Sequence, residues 1–134
     1  HVRRGDSVMH RNQGRAYMSI STYVKAARPL MDAMGVDTVL LFTDSQTAIE
    51  EALRCKREFP EVCRGIKWRY VDKQRWKGAE GGWENPFPSG NATEEFMISQ
   101  FEFSLAQKCS MAVLGNSGYG NLMYSHMCCS FPLS

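Results

Sequence analysis

The sequence lacks the features that assign many proteins to a functional class at once. Its 134 residues carry a net charge of only +2 and contain no basic run long enough to follow a nucleic-acid backbone or an anionic membrane. No apolar stretch approaches the length of a membrane span, and the chain has no internal repeat. With 43% hydrophobic and 22% charged residues, the composition predicts one ordinary globular domain with its own core.

Metal-ligand patterns are also missing. No C-x-x-C pair occurs, and the histidines are not spaced with the cysteines as in zinc sites. Buried free thiols and one or two disulfides both fit the cysteines, and Cys55 and Cys63 are close enough in sequence to pair locally. The sequon Asn91-Ala92-Thr93 favours a secretory location. The five cysteines are Cys55, Cys63, Cys109, Cys128 and Cys129.

The glycine-rich turn at residues 115–120 matches neither common phosphate-binding motif. It contains no G-K-[ST] of a P-loop, and it is not the G-x-G-x-x-G of a dinucleotide fold. Because a helix is predicted to follow it, its backbone amides and the helix dipole could bind phosphate. A small-residue turn that allows tight helix packing fits the same residues equally well.

Apolar spacing predicts four helices. The first runs from Ile20 to Met34, with Gly35 as its C-cap and Pro29 expected to kink or split it. The second covers residues 46–58 after the N-cap turn Asp44-Ser45, with an inner face formed by Ala48, Ile49, Ala52 and Leu53. A third begins at Asn91 or Thr93 and ends near Lys108, with its apolar residues four apart at Met97, Phe101 and Leu105. The last begins near Asn121.

Short apolar runs between these helices predict buried strands at residues 39–42, 66–71 and 111–114, beside a strand that ends in the opening motif. The alternation of strands and helices is typical of an α/β fold with a parallel sheet. Residues 1–6, 43–45 and 115–120 each follow the carboxyl end of a strand, where ligands of open α/β sheets bind. Residues 72–91 form a long irregular connection, and such loops tend to be functional.

The opening motif, His1-Val2-Arg3-Arg4-Gly5-Asp6, carries the strongest functional signal. Two adjacent guanidiniums at a strand end suit a diphosphate, because arginine binds phosphate oxygens bidentately. In an extended strand Arg3 and Arg4 point to opposite faces, so one can enter a crevice while the other braces a loop. A surface Arg–Asp ion pair is the plain alternative. Arg4-Gly5-Asp6 is also the tripeptide read by adhesion receptors, which requires an exposed loop tip.

Other polar residues along the predicted crevice have open roles. Asp44 fits a helix cap or a ligand contact, and Glu102, among apolar neighbours, fits a salt bridge or recognition of a guanine edge. Two loop residues, His10 and Arg11, could reach a substrate or remain solvated. Trp76 and Trp83 fit either stacking on a sugar or base, or anchoring of the loop.

These residues resemble a known family. The opening motif is similar to the H-x-R-R-x-D motif of the GDP-fucose-dependent fucosyltransferase superfamily, which includes α1,6-, α1,2- and protein O-fucosyltransferases. Residues 41–45 (Leu-Phe-Thr-Asp-Ser) resemble the family's strand ending in T-D-[DS], and residues 100–124 resemble its third motif region. The order and approximate spacing agree over nearly all 134 residues, and the α1,6 type is the most similar.

The resemblance implies a Rossmann-like parallel sheet with helices on both faces, forming one half of a GT-B-type glycosyltransferase. The chain, 1–134, would be most of the C-terminal domain that binds GDP-fucose, truncated at its N-terminus and inactive alone without its acceptor domain. The reaction would transfer L-fucose to a glycan or glycoprotein with inversion, without a metal or other cofactor and without nucleic acid. The resemblance also implies a Golgi or other secretory lumen and a membrane anchor in a segment outside this sequence.

The family also implies roles for individual residues. Arg3 would hold the β-phosphate and the glycosidic oxygen, and Arg4 would support the diphosphate and, with Arg3, stabilise departing GDP. Residues that match donor-binding positions are His1, Asp6, Asp44, Ser45, Glu102, Ser117 and Gly118. Glu102 falls close to the acid that recognises guanine.

Two departures from the family pattern bear on activity. Arg11 stands where α1,6-type enzymes carry a candidate general base, and the turn at residues 115–118 differs from the usual S/T-rich version. The general base is therefore unassigned. A protein that binds nucleotide or glycan without turnover is the alternative function, and an adhesion module is a third.

Overall fold

A computed structural model of the protein describes residues 1–4, 17–78, 87–115 and 117–128. In these ranges the fold is mixed α/β, with five helices and a two-stranded parallel sheet. None of the helices in these ranges is long and apolar enough to cross a bilayer. In chain order the elements are α1 (Ile20–Met34), β1 (Thr38–Leu40), α2 (Gln46–Glu58), α3 (Pro60–Cys63), β2 (Lys67–Arg69), α4 (Ala92–Ala106) and α5 (Gly118–Cys128).

Local capping sets the bounds of α1 as predicted. The Ser19 hydroxyl accepts a hydrogen bond from the Thr22 amide at its start, and Gly35 ends it in the left-handed region at φ 65°. The expected split at Pro29 is wrong, since α1 is one helix through that residue. Pro29 is exposed, so water can satisfy the carbonyl that lost its amide partner.

The second helix also has its predicted bounds. The Ser45 hydroxyl caps its first turn by accepting from the Ala48 amide, 3.4 Å away. Ala48, Ile49 and Ala52 are buried as predicted, but Leu53 is exposed and Cys55 takes the fourth inward place. Cys55 is drawn inward because it forms a disulfide with Cys63 of α3, with the two Cα atoms 5.8 Å apart.

The sheet is extended by backbone hydrogen bonds beyond its two assigned strands. In β1 and β2, Thr38 pairs with Lys67 and Leu40 with Arg69. On the other side of β1, the Val2 amide donates to Phe42 O at 2.9 Å. His1 then bonds residues 113–115: its amino nitrogen donates to Val113 O at 2.8 Å, and the Gly115 amide donates to His1 O at 3.1 Å.

Four extended segments therefore lie side by side in the order 67–69, 38–43, 1–2 and 113–115. The bridge between Val2 and Thr43 is parallel, like the pairing of β1 with β2. Residues 111–114 do not form a regular strand, so the prediction of a strand there is wrong. Two hydrogen bonds, one donated by His1 and one accepted by it, are too few for a regular ladder there.

Two hydrophobic clusters flank this arrangement. The first joins Val2 and Leu41 to α1, α2 and α3, and the second joins Phe42 to α4 and α5. The inner face of α4 differs from the prediction, since Met97 and Phe101 are 63% and 55% exposed and Leu105 is half-buried. The buried residues of α4 are Glu102, Phe103 and Ala106.

Contacts with α5 explain the orientation of α4. The Phe103 ring stacks on Tyr119 and His126, with centroids 5.1 and 4.8 Å away. Asn91 caps the helix by accepting from the Thr93 and Glu94 amides, and the helix begins and ends close to the predicted bounds. The last helix, α5, begins at Gly118, three residues before the predicted start at Asn121.

Candidate functional site

The carboxyl ends of the parallel segments meet at one edge, as predicted. Arg3 follows the first segment, Asp44 follows β1, Lys73 and Trp76 follow β2, and Ser117 follows residues 113–115. The backbone fastens two of these turns together. The Trp76 amide donates to Asp44 O at 2.9 Å, and the Gln46 amide donates to Trp76 O at 2.8 Å. The backbone of Trp76 thus anchors the start of the loop that follows β2.

The two arginines face opposite ways, as the alternation of an extended segment requires. Arg3 is exposed, whereas Arg4 is only 4% exposed. The two terminal nitrogens of the Arg4 guanidinium, Nη1 and Nη2, donate to the carboxylate of Glu51 at 2.7 and 2.9 Å, and Nη2 also donates to Met18 O at 3.2 Å. It also lies 4.5 Å from the centre of the Tyr17 ring. Arg4 therefore joins the opening segment to α2 and to the start of α1.

The Glu51 carboxylate accepts hydrogen bonds from three residues. Besides Arg4, the Tyr17 hydroxyl and the Ile20 amide donate to it, the latter at 3.1 Å. Burial alone would raise the pKa of Glu51, but these hydrogen bonds outweigh burial and lower the pKa below its ordinary value of 4.5. A carboxyl group with a lowered pKa stabilises the fold while it is ionised.

We expect this stabilisation to be complete above the ordinary value of 4.5 and to be lost as the pH falls through the lower pKa of the folded protein. Urea unfolding measured between neutral pH and acid would show it, as a steeper loss of stability in the wild type than in Glu51→Gln. Glu50→Gln, one residue away on α2, is the control. Parallel pH profiles for wild type and Glu51→Gln would contradict this assignment.

Asp44 lies between the opening segment and the turn after β2. Its Oδ1 accepts from the Arg4 amide at 2.9 Å, whereas the helix cap is Ser45. Burial raises the pKa of Asp44, and the charges of Arg3 and Lys73 partly offset that effect. Asp44 therefore orients the backbone of the arginine pair. The positive charges of Arg3 and Lys73, on two different turns of the same edge, both act on the Asp44 carboxylate.

Ser117 and His1 meet at the start of α5. The buried Ser117 hydroxyl accepts from the Gly120 amide at 3.0 Å and lies 3.3 Å from His1 Nδ1. A Cβ on Gly120 would lie 3.1 Å from both of those side-chain atoms, so glycine permits this close approach. The turn thus packs tightly, and Gly118 is the first residue of the helix whose N-terminus faces this edge.

Glu102 has the salt bridge that its buried position requires. It is 2% exposed, its Oε1 lies 2.5 Å from Lys73 Nζ, and its Oε2 accepts from the Tyr119 hydroxyl at 2.7 Å. Burial and the adjacent Glu102 charge raise the pKa of Tyr119. Tyr119 also lies against the His1 ring, at 5.2 Å between centroids, so this cluster reaches the opening segment.

Three residues that organise the edge were not singled out by the sequence: Glu51, Lys73 and Tyr119. A lone lysine in an irregular loop and a glutamate on a polar helix carry no local signal, because their partners are distant in the chain. A tyrosine after the glycine turn is equally ordinary. Their roles appear only where packing brings each beside an opposite charge or a polar group.

Several predicted site residues lie outside the described residues. These are Asp6, His10, Arg11, Trp83 and Asn116. In the described ranges, no group of three or more histidine, cysteine, aspartate or glutamate side chains is arranged to hold a metal ion. Cys109 has a half-buried free thiol.

A cavity of about 1030 Å³ lies beside this edge, and His1 is among its lining residues. Mainly apolar side chains line it, between the sheet and the helices, and Arg3, Asp44, Lys73 and Glu102 are not among them. Arg69 and Lys108 are among the lining residues of this cavity, so cationic side chains occur there as well as at the edge. Comparison of the chain with protein-family models, curated proteins and solved structures finds no match.

Proposed function

We propose that this protein is the donor-binding domain of a GDP-fucose-dependent glycosyltransferase, half of a two-domain GT-B-type enzyme that transfers L-fucose to a glycan with inversion. One observation carries the proposal. Four extended segments lie side by side, and the arginine motif, Asp44 and the start of α5 follow the carboxyl ends of three of them. That edge is where open α/β sheets bind nucleotides.

The proposal divides the two arginines by role. Arg3, exposed at the edge and acting on Asp44, contacts the β-phosphate of the donor and stabilises the charge that develops on departing GDP. Arg4 supports the diphosphate only indirectly, because its guanidinium is bound to Glu51 and its backbone amide to Asp44. The N-terminus of α5, capped by Ser117, favours an anion in the same crevice.

Guanine recognition by Glu102 is the most demanding part of the proposal. The carboxylate is ion-paired with Lys73 and hydrogen-bonded by Tyr119, and it is buried. A carboxylate has about four lone-pair sites, so two further donors of a base edge can be accepted in principle. A base reaches them only if Lys73 or Tyr119 shifts when the nucleotide binds.

The secretory location proposed for the protein has two independent supports. Asn91 of the sequon is exposed, and it caps α4 through its oxygen, which leaves its nitrogen available for a glycan. The disulfide between Cys55 and Cys63 is typical of an oxidising compartment.

Binding without turnover is the second candidate, because Arg11 stands where the family carries its candidate base. The adhesion module is disfavoured: a receptor would have to bind the guanidinium of Arg4, which is buried against Glu51.

We expect GDP to bind the protein, measured by calorimetry, and Arg3→Ala to weaken that binding at least about tenfold, since hydrogen bonds to charged groups are worth about 1.5–3 kcal/mol. Arg57→Ala, which removes an exposed arginine from α2, is the matched control and should bind GDP as the wild type does.

The same measurements separate the candidates. Tighter binding of GDP-fucose than of GDP-mannose, with transfer to a glycan by the complete enzyme, supports the transferase. Binding without transfer to any acceptor favours the second candidate. If GDP fails to bind, or binds equally to Arg3→Ala, both nucleotide-binding proposals are wrong.

A further inference from the structure

Lys73 is a charged residue at the edge to which the resemblance gives no role. It lies four residues beyond the end of β2 and three before Trp76, whose backbone bonds to Asp44 and Gln46 at 2.9 and 2.8 Å. The turn that carries Lys73 is thus fastened at both ends. Its position beside the Asp44 turn is set by the backbone and does not depend on a flexible loop.

The side chain of Lys73 is held as firmly as its backbone. Its Nζ lies 2.5 Å from Glu102 Oε1, and the two side chains are only 11% and 3% exposed. Tyr119 occupies the other carboxylate oxygen. The Lys73 ammonium carries three N–H donors and is ion-paired with a single oxygen of Glu102.

Charged groups near the Lys73 ammonium lie on several different parts of the fold. Glu102 faces it from α4, and Asp44, after β1, is acted on by both Lys73 and Arg3. Arg75 on the same turn donates to the backbone oxygens of Lys73 and Val71. Lys73 and Arg3 therefore lie on different turns of the edge, and the charges of both act on Asp44.

From this placement we propose that Lys73 is a second phosphate-binding cation of the edge site, held by Glu102 in position to contact the diphosphate of a bound nucleotide beside Arg3. This inference rests on the nucleotide binding of the proposed function. It gives Glu102 the role of holding Lys73 in place of guanine recognition, because Nζ lies 2.5 Å from Glu102 Oε1 and the base and the diphosphate are opposite ends of a nucleotide. Lysine binds phosphate as a compact point charge, and a buried carboxylate that holds it in place reduces the entropy lost on binding.

The competing role is that of a counter-ion, in which Lys73 only neutralises buried Glu102. The double variant Lys73→Met/Glu102→Gln separates the two, because it removes both charges of the ion pair together. The matched control is Lys67→Met/Asp37→Asn, which removes an exposed lysine–aspartate pair whose atoms lie 2.6 Å apart and which involves β2.

The probe is inorganic pyrophosphate, titrated into wild type and variants by calorimetry. We expect the double variant at Lys73 to bind at least about tenfold more weakly, the loss expected for one hydrogen bond to a charged group. Arg3→Ala should also bind more weakly, and the control pair should match the wild type. If the double variant at Lys73 binds as the wild type does while Arg3→Ala binds weakly, Lys73 is only a counter-ion and this inference alone is overturned.

Two further readouts complete the test. If the wild type binds neither pyrophosphate nor GDP, the proposed function fails and this inference fails with it. Should the double variant not fold, acetylation of the wild type decides: pyrophosphate is expected to slow modification of Lys73 and not of Lys67. Equal protection of both lysines, or of neither, would overturn the contact.

Discussion

Replacing Arg4 with alanine is expected to lower the free energy of unfolding by about 3–5 kcal/mol, the typical cost of breaking a buried ion pair from one side. The guanidinium makes two hydrogen bonds to Glu51, at 2.7 and 2.9 Å, and one to Met18 O at 3.2 Å. Its loss leaves the partly buried Glu51 without its main partner. Chemical denaturation followed by circular dichroism measures the change.

Arg3→Ala is the matched control for that variant. It removes the same side chain one residue earlier, from an exposed position, so we expect a change within about 0.5 kcal/mol. Arg4→Lys should recover only part of the stability, because an ammonium cannot reproduce the two-nitrogen contact with Glu51. Equal destabilisation by Arg3→Ala and Arg4→Ala would contradict the bracing role of Arg4.

Replacing Lys73 with methionine is expected to destabilise the protein by about 3 kcal/mol, because it removes the ion-pair partner of the buried carboxylate of Glu102. The Tyr119 hydroxyl, which donates to Glu102 at 2.7 Å, is a neutral donor and does not replace the lost ion pair. The unfolding free energy from urea titration is the measurement.

Adding Glu102→Gln to Lys73→Met should restore most of the lost stability, since a buried pair can be replaced together at little cost. The coupling energy from the four-variant cycle is expected to exceed about 1 kcal/mol, as for residues in direct contact. Additive effects would show that the two side chains do not interact as the structure has them. These measurements concern stability and are independent of ligand binding.

The Arg4 and Arg3 variants test whether the two arginines of the opening motif have different roles. The Arg4 guanidinium is bound to Glu51, and this contact fixes the opening segment to α2. The side chain of Arg3 is exposed at the edge. The alternation of an extended backbone makes this division possible. A motif that a sequence pattern presents as one phosphate clamp is, in three dimensions, one candidate ligand contact and one structural anchor.

The sequence by itself determined the elements whose signals are local. Both ends of α1, and the start of α2 at its Ser45 cap, follow from residues within one turn of each boundary, and so does the Asn91 cap of α4. The parallel pair β1 and β2 and the shared edge followed from short apolar runs and their order in the chain, whereas the run at residues 111–114 does not form a strand. These features depend on hydrogen bonds and steric limits over a few residues, which the local sequence contains.

Only the tertiary structure decided which face of α4 is buried and which charges meet. Met97 and Phe101 are exposed because the stacking of Phe103 on Tyr119 turns the opposite face of α4 inward. Arg4 and Glu51 are 47 residues apart in the chain, and Lys73 meets Glu102 across a long connection. Such contacts arise from the packing of whole elements, whose energy depends on every neighbour, so no short pattern could specify them.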